Sequence, residues 1–167
     1  MMRIGLLSDT HSFFDPQLND LFAGCDEIWH AGDVGNISVY NALLKIKKPL
    51  RTVFGNIDGK EIRGLTSEYL LWNVEKKKVL MMHIGGYPEK YTPQARKLIS
   101  EMQPDIFICG HSHILRVIFD KKSNLLYLNP GAAGKEGFHQ VRTALRFTID
   151  GDMVKEMEIL ELGKRGI

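Results

Sequence analysis

The sequence predicts an α/β domain containing two β-sheets, and three observations carry that prediction. The first half alternates short apolar runs with longer helix-periodic ones. The second half is a hairpin followed by closely spaced apolar runs with turn residues between them. The composition, 44% hydrophobic and 25% charged over 167 residues, is that of an ordinary globular chain. This length suits one domain, taken as residues 1–167, which buries about two-thirds of the surface its unfolded chain exposes.

Arg3 to Ser8 reads as a buried strand. Asp15-Pro16, an N-cap followed by proline at the first helical position, opens a short amphipathic helix over Pro16 to Phe22. Glu27 to His30 is a second strand. Ser38 to Ile46 places Val39, Leu43 and Ile46 at helical spacing before Pro49 stops it, and Arg51 to Phe54 is a third strand. Strand, helix, strand, helix, strand predicts a parallel sheet with right-handed crossovers. Tyr69 to Val74 and Val79 to His83 flank Glu75-Lys76-Lys77-Lys78 and predict a hairpin, its lysines forming a solvated turn rather than a binding patch. Thr92 to Met102 is an amphipathic helix with Pro93 in its first turn and Pro104 beyond its end. Asp105 to Cys109 is a fully apolar strand. Leu115 to Phe119, Leu125 to Leu128, Thr143 to Ile149 and Met153 to Leu162 complete a β-rich end, with turns at Lys121 to Asn124 and Asp150 to Asp152.

Charge and cysteine content narrow the function classes. Basic residues number 22 against 20 acidic, and a net charge of +2 does not point to nucleic acid or an anionic membrane as the main partner. Cys25 and Cys109 lie in apolar runs suited to reduced, buried thiols. The N-terminal run lacks a signal-peptide core, and no 18 apolar residues run together, so the expected location is the cytoplasm with no membrane span. Six histidines are left unexplained by composition.

Four of those histidines stand where the apolar runs stop. Asp9-Thr10-His11 follows the first strand, Gly32-Asp33 the second and Gly55-Asn56 the third; His83 ends the hairpin, and Gly110-His111-Ser112-His113 follows Cys109. In a parallel sheet the loops at the carboxyl ends share one edge, where α/β proteins bind ligands. Oxygen and imidazole groups without thiolate suit manganese, iron, nickel, cobalt or zinc rather than calcium or a closed structural zinc site. Seven ligands exceed one ion's needs. They fit two divalent ions roughly 3.5–4 Å apart that share a carboxylate, an arrangement that clamps phosphate and activates water.

This ordered set, Asp9-x-His11, Gly32-Asp33, Gly55-Asn56, His83 and Gly110-His-x-His113, resembles the calcineurin-like metallophosphoesterase superfamily, in particular its small single-domain bacterial and archaeal phosphodiesterases. The resemblance spans about residues 3 to 134. It implies a four-layer α/β/β/α sandwich with two mixed sheets and a dinuclear site. It assigns Asp9, His11 and His113 to one metal, Asn56, His83 and His111 to the other, and Asp33 to both. The implied reaction is phosphodiester hydrolysis by a bridging hydroxide with two metal ions per chain, manganese foremost, and with Asp33, Asn56 and His83 at its centre. The alternative it implies is a protein-binding scaffold of the same fold with little catalysis.

Two positions depart from the family pattern. Ile57 stands where a histidine or cysteine usually follows the asparagine, and Gly85 stands where a second histidine usually follows His83. Loss of general acid catalysis, typically worth about 10²–10⁴-fold, predicts slow turnover favouring good leaving groups. His30 is a candidate to orient a ligand from behind, and Asp58 is a further candidate beside the third motif. His139 and Arg142 are candidates for the missing acid and for a phosphate-binding guanidinium. The expected partner is a small phosphodiester. The chain lacks a basic stripe or aromatic platform for a nucleic acid strand, and small members of such families often pair, so a homodimer is the oligomer to test.

Overall fold

The computed structural model describes residues 1–166. Its strands form two five-stranded mixed sheets. In the first, β1 (Met2–Leu7), β2 (Glu27–His30) and β3 (Leu50–Thr52) run parallel, as the alternating pattern predicts, while β9 (Val141–Asp150) and β10 (Met153–Lys164) extend it antiparallel beyond β1. In the second, β4 (Tyr69–Val74) and β5 (Lys77–Met82) form the hairpin; β5, β6 (Ile106–Ile108) and β8 (Leu125–Pro130) run parallel, and β7 (Leu115–Asp120) closes the far edge.

Three apolar clusters hold the layers together. Ile4, Leu6, Trp29, Val79, Met81, Ile108, Leu145 and Phe147, all fully buried, fill the space between the two sheets. Leu18, Phe22, Ile28, Val39, Leu43 and Ile62 bind helices α1 (Gln17–Leu21), α2 (Ile37–Leu44) and α3 (Lys60–Leu65) to the outer face of the first sheet. Leu80, Ala95, Leu98, Phe107 and Tyr127 do the same for α4 (Pro93–Met102) on the second. Strand β6, buried on both faces, is therefore a continuous apolar run rather than an alternating one; β2 is buried along its length as well, yet it begins with Glu27, which accepts from the Trp29 indole N–H at 2.8 Å, and ends with His30.

The ends of the elements follow side-chain chemistry. Asn36 caps α2 by accepting from the Val39 N–H, and Thr92 caps α4 by accepting from the Ala95 N–H at 3.2 Å. The Asp15 carboxylate accepts from the Gln17 N–H at 2.9 Å, so it satisfies the start of α1 as the sequence predicts. The hairpin tip is shorter than predicted. Only Glu75 and Lys76 turn, with Glu75 at φ 53°, whereas Lys77 and Lys78 belong to β5. The Lys78 ammonium donates to the Met102 carbonyl at 2.9 Å rather than standing in solvent. The short helix α3 has no sequence-based counterpart, because Ile62 is its sole buried side chain and Gly64 interrupts it.

Arg142 has a structural task. Its guanidinium is buried and donates to Asp15 Oδ2 at 2.7 Å and to the carbonyls of Ala133, Leu162 and Lys164. Four hydrogen bonds to the chain itself take up the donors a phosphate would need, so the phosphate-binding role expected for it does not hold. Arg142→Met is expected to cost about 3–5 kcal/mol in urea unfolding, because it strands the buried Asp15 carboxylate.

Candidate metal centre

Both sheets present the carboxyl ends of their parallel strands to one rim, and the loops leaving them carry the polar groups. Five of these residues sit in the left-handed backbone region that side chains rarely adopt: Asp9 (φ 54°), His11 (44°), Asp33 (55°), His111 (70°) and His113 (60°). Such backbone costs of order 1–3 kcal/mol per residue and persists where the surroundings over-determine it. Here the surroundings are a web of loop-to-loop bonds. Asp9 N–H donates to the Gly32 carbonyl, His11 N–H to the Asp33 carbonyl and Gly110 N–H to the His83 carbonyl, each at 3.0 Å.

Each carboxylate is held by one oxygen and aims the other at a shared point. Asp9 Oδ2 accepts from Ser8 Oγ at 2.6 Å and from the His111 N–H at 3.0 Å. Its Oδ1 faces His113 Nε2 at 3.1 Å, His11 Nε2 at 3.6 Å and His83 Nε2 at 3.7 Å. Asp33 Oδ1 accepts from the Ile57 N–H at 3.0 Å, while Oδ2 faces His83 Nε2 at 3.1 Å and His11 Nε2 at 3.3 Å. Asp9 Oδ1, His11 Nε2 and His83 Nε2 are buried and make no directed hydrogen bond. Buried polar atoms without partners are costly, and three that converge on one point mark a place for a cation.

The tautomer of His83 fits that reading. Its Nδ1 lies 2.8 Å from the Ala31 carbonyl, which can only accept, so Nδ1 carries the hydrogen and Nε2 offers its lone pair to the centre. Two ligand groups follow from the distances, Asp9 with His11 and His113, and Asp33 with His83 and His111. Asn56 lines a cleft of about 200 Å³ together with His83, Phe54 and Arg63. The donor set therefore suits divalent ions.

Electrostatics follow from the same packing. Burial works against charge on Asp9 and Asp33, but the neighbouring imidazoles override it and hold both well below the usual carboxylate range. In return Asp33, then Asp9, raise His11 to about 10. His83 is raised by the same two carboxylates despite its burial. The metal-free site is thus a cluster of ion pairs whose protons occupy the place of the cations.

The remaining candidates resolve into supports. His30 is fully buried behind the site: its Nδ1 accepts from the Gly32 N–H at 3.1 Å and its Nε2 donates to Thr10 Oγ1 at 3.0 Å, while Thr10 donates onward to the Val34 carbonyl at 2.9 Å. Burial pushes it down to about 4, so it stays neutral. Asp58 accepts from the backbone N–H groups of Val34, Gly35 and Gly55 and so ties the Asp33 loop to the Asn56 loop. His139 touches His113, its Nδ1 at 3.2 Å from His113 Nδ1, and its Nε2 donates to the Gly134 carbonyl at 2.8 Å. Both ring nitrogens are occupied, which leaves none to act as the missing acid.

Ile57 and Gly85 also receive physical reasons. Ile57 lends its N–H to Asp33 while its side chain stands 45% exposed. A side chain at Gly85 would strike the Cys109 sulfur and lie 2.7 Å from Phe107, and the Gly85 carbonyl accepts from the Thr92 N–H, so this position supplies no ligand by side chain and its carbonyl is already used. Sequence reasoning missed Ser8, Thr10 and Arg63, which hold the ligands or line the cleft without standing in the motif pattern. Asn129 supports the last motif in the same way: its Nδ2 donates to the Gly110 carbonyl and Ser112 Oγ, each at 3.1 Å.

Gly55 and Gly110 are where backbone must approach the carboxylates. A Cβ at 55 would overlap Asp33 Oδ1 and lie 2.7 Å from its Cγ; one at 110 would overlap Ser8 Oγ and lie 2.7 Å from Asp9 Oδ2. Gly55→Ala is expected to displace Asp33 and lower metal affinity about 10–100-fold, measured by isothermal titration, with the far-ultraviolet circular dichroism retained.

A model of the calcineurin-like phosphoesterase superfamily domain matches residues 2–152. The chain belongs to that superfamily. Among curated relatives of this phosphoesterase, a probable metallophosphoesterase of Methanothermobacter thermautotrophicus is 31% identical over 136 residues, covering 78% of this chain and 77% of that one. Among solved structures, wild-type Vps29 of Entamoeba histolytica complexed with Zn²⁺ superposes with a TM-score of 0.73 at 19% identity, over 97% of this chain and 100% of that one. A structure described as a novel archaeal phosphodiesterase gives a TM-score of 0.73 at 18% identity, over 95% of this chain and 100% of that one. These two likenesses bear on the fold, which they share with the phosphoesterase described here. Among its described residues no helix is long and apolar enough to cross a membrane.

Proposed function

We propose that this phosphoesterase is a two-metal phosphodiesterase acting on small esters with good leaving groups. The observation that carries the reading is the convergence of unpartnered buried atoms, Asp9 Oδ1, His11 Nε2 and His83 Nε2, within 3.7 Å of facing ligand atoms. Asp9, His11 and His113 would hold one ion, Asn56, His83 and His111 the second, and Asp33 would serve both. Bound divalent ions, manganese foremost, would supply an activated water and neutralise charge developing on phosphate.

The chain's own residues do the rest. Ser8 and the His111 N–H hold Asp9, and the Ile57 N–H holds Asp33, so neither carboxylate must reorganise as charge builds. The cleft beside Asn56 and His83 receives the ester's alcohol. On its wall Arg63 is pinned by the carbonyls of Asp58 (2.6 Å) and Gly55 (3.2 Å) and lies over the Phe54 ring. The side chain of Ile57 carries no proton to give the leaving alcohol, and both ring nitrogens of His139 are engaged elsewhere, hence the preference for alcohols that depart unprotonated.

The test is metal reconstitution with Mn²⁺, followed by a screen of phosphomonoesters, phosphodiesters and cyclic nucleotides. The expected result is hydrolysis of an activated aryl phosphodiester above all others. Protein shown by metal analysis to hold two ions, yet inert on every ester, would favour the scaffold reading instead.

A further inference from the structure

We infer that His139 is a positioning residue, which fixes His113 in the tautomer that presents its Nε2 lone pair to a metal ion. The inference rests on the metal-site reading above. The Gly134 carbonyl can only accept, so His139 Nε2, at 2.8 Å, carries a hydrogen. The Nδ1 of a neutral His139 is then a bare acceptor, and His113 Nδ1 stands 3.2 Å from it. Two lone pairs would repel at that distance, so the hydrogen lies on His113 Nδ1. In the neutral, metal-binding form of His113 the lone pair is therefore on Nε2, 3.1 Å from Asp9 Oδ1.

His83 reaches the same state in one step, by donating directly to the Ala31 carbonyl. His113 has no carbonyl in that place and reaches one through a second imidazole. The relay ends where it matters, because the Gly134 N–H itself donates to the Asp9 carbonyl at 3.0 Å. The orientation of one ligand, His113, is thereby tied to the backbone of another, Asp9. Two further features show that the relay is built. The rings of His113 and His139 meet edge to face, with centroids 5.0 Å apart. Gly137, at φ 125°, passes so close that a Cβ there would lie 2.6 Å from His113 Cε1 and 3.1 Å from His139 Nδ1, so no side chain can wedge between the rings.

The test compares the full chain with His139→Leu and His139→Asn, using Zn²⁺ because it is diamagnetic. Asparagine can keep an acceptor oxygen near the position of Nδ1, and leucine cannot. Calorimetric titration is expected to show about a 10–100-fold loss of Zn²⁺ affinity in the leucine variant, and within about threefold of the parent in the asparagine variant. Long-range ¹H–¹⁵N spectra of histidine-labelled protein are expected to report the Nδ1–H tautomer of His113 in the parent and a mixture in the leucine variant. Unchanged affinity and unchanged His113 signals in the leucine variant would overturn the inference. Equal losses in both folded variants would overturn it too, by assigning His139 to packing alone. None of these readouts requires turnover, so a parent that binds zinc and hydrolyses nothing would sink the enzyme reading and leave this one standing.

Discussion

Asp33→Asn is expected to lower phosphodiester hydrolysis by about 10³-fold while leaving the secondary structure unchanged. Asparagine has nearly the shape of aspartate, and its carbonyl oxygen can still accept from the Ile57 N–H that fixes the loop. What disappears is the charge at Oδ2, the atom that faces both His11 and His83. An amide nitrogen there would point hydrogens at two imidazole lone pairs, and the carboxylate proposed to serve both ions would be gone. Metal content should fall together with activity, measured by elemental analysis beside steady-state kinetics. A variant as active as the parent would show that the hydrolysis belongs to a contaminant or to another site.

The second large effect is on metal uptake with pH. In the metal-free chain, Asp33 and Asp9 hold a proton on His11 up to about 10, and they raise His83 as well. Both protons occupy ligand atoms and must leave when ions bind. Apparent affinity should therefore weaken as pH falls, by about tenfold per pH unit for the His11 proton displaced, and more steeply at pH values where His83 is protonated as well. Titrations in buffers of different ionisation enthalpy would count the protons released. An affinity that is flat with pH, with no proton release, would contradict this account. Stability of the metal-free fold carries the opposite signature for the two kinds of group. The raised His11 contributes fully below its unfolded value of about 6.5 and loses that contribution as pH rises towards 10, while the lowered Asp9 and Asp33 contribute above about 4 and lose theirs in acid.

Much of this molecule is readable in its sequence, for reasons that are physical. A strand buried on both faces is favoured as an unbroken apolar run, so the run to Cys109 announces itself. The ligands announce themselves too, because parallel strands deliver their carboxyl ends to one edge and the motif residues stand directly after them. What could not be read is whatever depends on pairing across the chain. Arg142 looks like a phosphate ligand until Asp15, 127 residues away, is found against it. His139 looks like an acid until its two nitrogens are traced to His113 and Gly134. Ser8 precedes the first motif and Thr10 fills its unspecified position, so neither carries a signal of its own, yet one orients Asp9 and the other locks His30. The left-handed backbone of five ligand residues is likewise invisible, since aspartate and histidine adopt it here only because neighbouring loops hold them.

The central claim is that two ions sit together in one cradle and share Asp33. The electron paramagnetic resonance spectrum of the Mn²⁺-loaded chain tests it most directly. The account predicts the many-line pattern of an exchange-coupled manganese pair, which two ions bridged by one carboxylate would give. A spectrum showing isolated Mn²⁺ alone, at full metal loading, would contradict it.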